Sequence, residues 1–352
     1  MLRKRYMLVE FLAIYLAVNL SFLTLFLVIQ VLTDLPQKMQ AQAGLDWQSY
    51  LWQLPAIFVQ ISPMLTFVSS LFLLTEMMKR GELRILELGG ILPLLVYDML
   101  LLCGFLAALT VFWVNETLVP ISYRHLKPAR VVSGVHLSTP SFFFYGEKFI
   151  PPGYLRNVQI SQLLGDGTLY TLTARQAWFE GGFWIVQDGR AWSFQPGGQL
   201  KEEVVFKQSR LKLPISPDVL GVMGQSLEGR SLRELVQLRR EMTRIGLSPS
   251  SLSVAAQERV AYPFLSFFFI LASIPFFYWR EQLTRFFVIS FSFLFSFFCY
   301  FLYSASLALA RNGRLPVFLG VWMVHLLVFL VTIICVVSRG QSRSFLPVRR
   351  RS

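Results

Sequence analysis

Residues 316–338, PVFLGVWMVHLLVFLVTIICVVS, contain no acid, lysine or arginine. A helix rises 1.5 Å per residue, so this run alone is long enough to cross a hydrocarbon core about 30 Å thick. Five more runs of the same kind precede it, at about 8–32, 54–75, 91–114, 260–279 and 286–310. The pattern predicts six spans, three on either side of a long polar segment.

Composition agrees. Of the 352 residues 54% are hydrophobic and only 15% charged, with 33 phenylalanines. A soluble domain is about half apolar and roughly a quarter charged. Here the apolar residues form uninterrupted runs rather than amphipathic faces, a pattern suited to lipid. The first run is too long for a signal-peptide core, and Thr33, Asp34 and Leu35 stand where a cleavage site needs small residues, so it reads as a retained span.

Basic residues set the orientation. Under six spans, Arg3, Lys4 and Arg5, then Lys79, Arg80 and Arg84, then Arg280 and Arg285, and finally Arg339, Arg343, Arg349, Arg350 and Arg351 all fall on one side. The positive-inside rule makes that side, and both termini, cytoplasmic, with Arg311 and Arg314 a mild exception in a short opposite loop. Trp47, Trp52, Trp113, Trp279 and Trp322 lie near span ends as an aromatic belt. The net charge of +13 is dispersed rather than gathered into a nucleic-acid patch. Cys103, Cys299 and Cys335 all fall within spans and lack metal or CxxC spacing, so no disulfide or metal site is expected.

Between about Arg130 and Leu213 the pattern changes to short β-prone runs such as Leu169 to Thr173, Phe183 to Val186 and Val204 to Phe206. Turn signals separate them: Gly165-Asp166-Gly167, Glu180-Gly181-Gly182, Asp188-Gly189 and Pro196-Gly197-Gly198. Spacing near ten residues predicts a sandwich or jelly roll whose core is small or open along one edge. Trp178, Phe183, Ile185 and Phe206 are the candidate lining of that groove. A helix follows, with a capping box at Ser231 and Glu234, apolar spacing at Leu232, Leu235, Leu238 and Met242, and Gly246 as its stop. Its Arg233, Arg239, Arg240 and Arg244 read either as a solvated face or as contacts to lipid phosphates.

Motifs for catalysis are missing. His125, His136 and His325 are scattered, and the sequence holds no GxSxG, HExxH or GxxxxGK[ST]. Any ATP would be bound by a partner. Asn115-Glu116-Thr117 is a formal glycosylation triplet without functional weight. Asp98 is a full charge within a span and hence a functional candidate, although it lies only about two turns from Ile91 and within reach of interfacial water. The loop from Glu76 to Ile91 reads as a short amphipathic helix. It is either a turnaround at the membrane surface or a side, formed by Leu83, Leu86 and Gly90, that enters a partner's groove while Glu82 pairs with an arginine.

At Arg80, Glu82, Leu83 and Gly90 the chain resembles the lipopolysaccharide-export permease family, LptF and LptG, whose members carry a similar R-x-E-L-x-x-x-x-x-x-G motif. The likeness continues in order through Arg5-Tyr6, Ser62-Pro63-Met64, Asn115-Glu116 with Val119-Pro120, and Arg259 with Pro263. The stretch Val28 to Leu35 with Lys38 behind it is similar to the G type, except that G-type chains tend to carry a basic residue where Gln30 stands, a place Lys38 is positioned to supply.

The resemblance implies a membrane α-helical fold of six transmembrane helices, 3+3, with an inserted periplasmic β-jelly-roll domain. It divides the chain into spans one to three at 1–129 with a coupling helix at about 76–90, the β domain at 130–215, a linker at 216–258, and spans four to six with a basic tail at 259–352. It further implies a non-catalytic, cofactor-free permease in the inner membrane of a Gram-negative bacterium. The expected partners are a dimeric ATPase that binds the ATP and docks on Arg80, Glu82, Leu83, Leu86 and Gly90, a second six-span permease, a single-span accessory protein and a periplasmic bridge, with lipopolysaccharide or lipooligosaccharide as cargo. Gln30, Lys38, Trp178, Phe183, Ile185 and Phe206 are the lipid-binding candidates. A scaffold or assembly factor would need no ATPase contact. A lipid-modifying enzyme would gather acids, histidines or serines at one membrane surface, and a lipoprotein-type permease carries fewer spans.

Overall fold

The computed structural model describes residues 2–40, 44, 46–83, 85, 94–126, 131–139, 141–213, 215–222, 227–244, 247, 250–276 and 284–344. Within the described residues each apolar run folds as a helix: α1 (Leu2–Gln40), α2 (Trp47–Lys79) and α3 (Leu94–Leu126), then, after the strands, α6 (Ser250–Ser273), α7 (Arg285–Arg311) and α8 (Val317–Ser344). All six are long and apolar enough to cross a membrane. They outrun the apolar runs, α3 continuing to Leu126 rather than ending near 114 and α6 starting at Ser250 rather than near 260. Hydropathy marks only the stretch that suits hydrocarbon. A helix of 33 residues is about 50 Å long and carries its polar turns past that layer.

The chain forms two compact units, one of Met1–Ser122 with Val254–Ser352 and the other of Tyr123–Ser253. In the first, α2 is the most buried helix and α1 the least. Phe67 is fully buried, its ring 5.2 Å from Phe295 and 5.8 Å from Phe269. Several hydroxyls inside this unit bond along their own helices, Thr66 donating to the Ser62 carbonyl at 2.7 Å and Ser69 to that of Leu65 at 2.7 Å. With no water in the bilayer core, that back-bonding removes an otherwise costly donor. Gln60, one turn before Pro63, accepts from the Tyr262 hydroxyl at 2.6 Å and from Tyr300 at 3.1 Å, tying α2 to α6 and α7. Small residues let helices approach. A Cβ on Gly320 of α8 would lie 2.3 Å from the Ala310 Cβ of α7, and Ser306 donates to the Gly320 carbonyl at 2.7 Å.

The second unit holds six antiparallel strands: β1 (Val132–Thr139), β2 (Phe142–Ile150), β3 (Tyr154–Leu163), β4 (Leu169–Glu180), β5 (Phe183–Phe194) and β6 (Leu200–Leu211). They form one sheet in the order β1-β2-β3-β4-β5-β6. The antiparallel sheet agrees with expectation, whereas its connectivity is that of a meander, not the Greek-key order of a sandwich or jelly roll. Short hairpins keep each strand beside its sequence neighbour. The expected turn at Asp188-Gly189 is likewise absent: both residues lie inside β5, which runs for 12 residues. The short helix α4 (Pro217–Val222) and α5 (Leu232–Arg244) follow, α5 beginning with the expected capping box, in which the Glu234 amide donates to Ser231 Oγ at 3.3 Å and the Ser231 amide to Glu234 Oε2 at 2.9 Å. Leu235, Leu238 and Met242 are buried, while Arg233, Arg239, Arg240 and Arg244 are exposed. Gly246 lies outside the described residues.

A transverse crease crosses the whole sheet. In all five strand pairs the register skips one position and resumes beyond it, and the skipped residues form one line: Gly134, Glu147, Asn157, Arg175, Asp188 and Lys207. On alternate strands that residue is left-handed, with φ of 67° at Gly134, 49° at Asn157 and 52° at Asp188. The turn of the backbone there reverses the usual alternation of faces. Apolar residues from both sides of the crease therefore share one face. The row Phe149, Leu155, Ala177 and Val186 is buried on one side of the crease, and Val158 and Ala174 are buried on the other. Leu155 reaches across to within 2.9 Å of the place a Gly146 Cβ would occupy.

Candidate functional site

The loop after α2 is held to α1 by charge. Arg80 caps α2 in right-handed geometry, its amide donating to the Glu76 carbonyl at 3.0 Å, and so leaves its side chain free to reach back. Its guanidinium donates to Glu10 at 2.5 Å and to the Tyr6 hydroxyl at 3.1 Å, both on α1, and lies 3.7 Å from Glu82. The hydrogen-bonded Glu10 carboxylate raises the Arg80 pKa above its ordinary value. The Arg80 side chain is 48% exposed, so the cluster fixes position more than it adds stability. Gly81, at φ 71°, turns the chain into the next helical residues.

Leu83 departs from expectation. It is 2% exposed and belongs to the same buried cluster as Met77, so its side chain packs into this chain's own core rather than facing a partner. Ile85, which the sequence pattern did not single out, is the residue offered outward, at 60% exposure. Helical spacing grouped Leu83 with Leu86 and Gly90, but spacing defines a side without saying which body covers it. Leu86 and Gly90 lie outside the described residues.

Gln30 and Lys38 sit two turns apart on α1 and both engage α2. Gln30 donates to Gln53, and the Lys38 ammonium stands 4.8 Å from the Tyr50 ring centroid in a cation–π contact. Asp98 is exposed, near the start of α3, with no ion pair among the described residues. The structure does not bring the four β-domain candidates into one groove. Trp178 and Ile185 pair directly across β4 and β5 and share a face. Phe206 pairs with Gly189 beyond the crease, on the face of the buried rows. Phe183 is the first residue of β5 and 42% exposed. Period-two counting along β5 puts Ile185 and Gly189 on one face, and the left-handed Asp188 between them reverses it.

One pairing joins two motifs that the sequence could only place in order. Arg259 of α6 is 6% exposed, and its guanidinium donates to the Asn115 carbonyl of α3 at 2.8 Å and to the Asn115 side-chain oxygen. Glu258 beside it pairs with Arg311 at 2.8 Å. A buried guanidinium needs such acceptors, and they stitch the two sets of three helices.

Among the described residues no group of histidine, cysteine, aspartate or glutamate is arranged to hold a metal. Residues 5–337 match the family model described as lipopolysaccharide export system permease LptF/LptG. No curated protein matches the chain.

Proposed function

The chain belongs to the lipopolysaccharide export permease LptF/LptG family, and from that membership we propose that it is the permease subunit of an ATP-driven transporter that extracts lipopolysaccharide from the inner membrane. In this reading the chain performs no chemistry. A dimeric cytoplasmic ATPase supplies the energy, a second six-span permease completes the lipid cavity, and a single-span accessory protein and a periplasmic bridge receive the cargo on its way to the outer membrane. The six-stranded sheet lies in the periplasm. Within the family, the Val28 to Leu35 stretch favours the G role, with Gln30 and Lys38 on the α1–α2 seam as candidate contacts for the lipid's polar part.

The observation that carries the coupling is the Arg80 cluster. A loop poised to receive an ATPase is bonded to Glu10 and Tyr6 of α1, the helix with least cover from its own chain. In this reading, force on the loop is delivered to α1 through Glu10 and Tyr6. Glu82, 27% exposed and held only at 3.7 Å from Arg80, is the acid assigned to pair with an ATPase cation. Glu82→Arg places a like charge at that contact and releases the ATPase from the detergent-purified complex, with loss of export. Normal ATPase association and normal export in this variant would remove the coupling assignment.

A further inference from the structure

The crease leaves an open groove of about 430 Å³ along the sheet. Four of its lining residues form one cross-strand row, in which Tyr145 faces Gln159, Gln159 faces Thr173 and Thr173 faces Arg190. Along each strand this row alternates with the buried one, so the cleft lies on the sheet's polar face. Arg175 and Asp188 border it from the crease. Neither Arg175 nor Arg190 has an ion pair or side-chain hydrogen bond among the described residues. The row covers three strand spacings, about 14 Å, which is longer than a single inorganic anion.

The backbone at this cleft is also unusual. Asn157 and Asp188, both lining it, are the only non-glycine residues with positive φ among those described. Such conformations persist where surrounding structure enforces them, and they concentrate at ligand sites.

We propose that the cleft binds an anionic saccharide, a sugar chain bearing carboxylate or phosphate groups. Two uncommitted guanidinium groups suit planar bidentate recognition of those anions. Gln159, Thr173 and the Asp188 carboxylate supply partners for sugar hydroxyls, and the Tyr145 ring supplies an apolar surface with a polar tip. Asp188 also decides against a plain polyacid, since a carboxylate beside the two arginines repels an anion that brings no hydroxyl to it. This inference needs only the sheet and does not rest on the export reading.

The test uses the purified full chain in detergent with trigalacturonate as the probe, followed by saturation-transfer NMR and titration. The expected result is saturable binding, weakened about tenfold or more by Arg175→Ala and by Arg190→Ala, weakened also by Tyr145→Ala, and unaffected by Arg210→Ala, which removes an equal charge from outside the cleft. Maltotriose, inorganic phosphate and a triglutamate peptide should each bind much less. Lipopolysaccharide that displaces the probe identifies a glycolipid headgroup as the natural source of the sugar, and probe binding without displacement identifies a free saccharide. The proposal is overturned if the Arg210 control weakens binding as much as the cleft variants, if phosphate or triglutamate binds as well as the saccharide, or if the saccharide does not bind.

Discussion

Replacing Asn115 by leucine strips the Arg259 guanidinium of one of two acceptors provided by the same residue, while the Asn115 carbonyl, 2.8 Å away, stays. A hydrogen bond to a charged group contributes about 1.5–3 kcal/mol, and removing the whole partner of a buried charge costs about 3–5 kcal/mol. Partial loss at a site 6% exposed puts the expected cost of Asn115→Leu at about 2–3 kcal/mol. Arg259→Met removes the charge with its solvation demand and is expected to cost less, because an apolar residue of similar length often replaces a buried ion without penalty. In the double variant neither polar group is left buried, so the two costs should not add. A discrepancy of about 1–2 kcal/mol is expected between the double variant and the sum of the singles. Thermal unfolding in one detergent, followed by tryptophan fluorescence, reads this as a fall of several degrees for Asn115→Leu, partly restored by adding Arg259→Met. Additivity within about 0.5 kcal/mol would refute the assignment of this pair as the link between α3 and α6.

Gly320→Leu places side-chain atoms where even a Cβ lies 2.3 Å from the Ala310 Cβ, so α7 and α8 must separate; folded yield in detergent should fall sharply, and a normal yield would show the close approach to be dispensable. The Asp46 carboxylate caps α2 and is held below its ordinary pKa chiefly by its hydrogen bond from the Ser49 side chain. A lowered folded pKa stabilises above the unfolded value near 3.9, and the gain is lost as pH falls through the folded value. The Tm difference between wild type and Asp46→Ala should therefore be present at neutral pH and vanish in strong acid, whereas a pH-independent difference would exclude the charged cap. Gly167→Cys in a background lacking Cys103, Cys299 and Cys335 should be labelled by an impermeant thiol reagent from outside the inner membrane; labelling only after permeabilisation would overturn the orientation.

Hydropathy made the six helices legible because hydrocarbon imposes one demand, an uninterrupted apolar length, that a sequence displays directly. Their ends were less legible, since the terminal turns, such as 115–126 in α3, mix polar with apolar residues and follow no single pattern. The β unit was visible as strands and hairpins, but Asp188-Gly189 carries the composition of a turn and serves as a left-handed step within a strand. That one ambiguity concealed the crease and misassigned the faces of Trp178, Ile185 and Phe206. Leu83 shows the matching limit on helices, because amphipathic spacing marks an apolar side without telling its own core from a partner's groove. The pairing of Asn115 with Arg259 could not be read from either motif, as each looks locally like an ordinary polar residue at a span end.

That pairing also sets an order of events during synthesis. Its two residues are 144 positions apart. At about 5–20 residues per second, Arg259 leaves the ribosome roughly 7–30 s after Asn115. For that interval the first three helices must remain in the membrane with the acceptor oxygens of Asn115 waiting for a donor not yet made. The intervening chain holds a complete six-stranded sheet whose pairings are all between neighbours, so it can mature while the wait lasts. The nascent protein therefore depends on the first three helices neither wandering into lipid nor being degraded before the fourth arrives to fasten them.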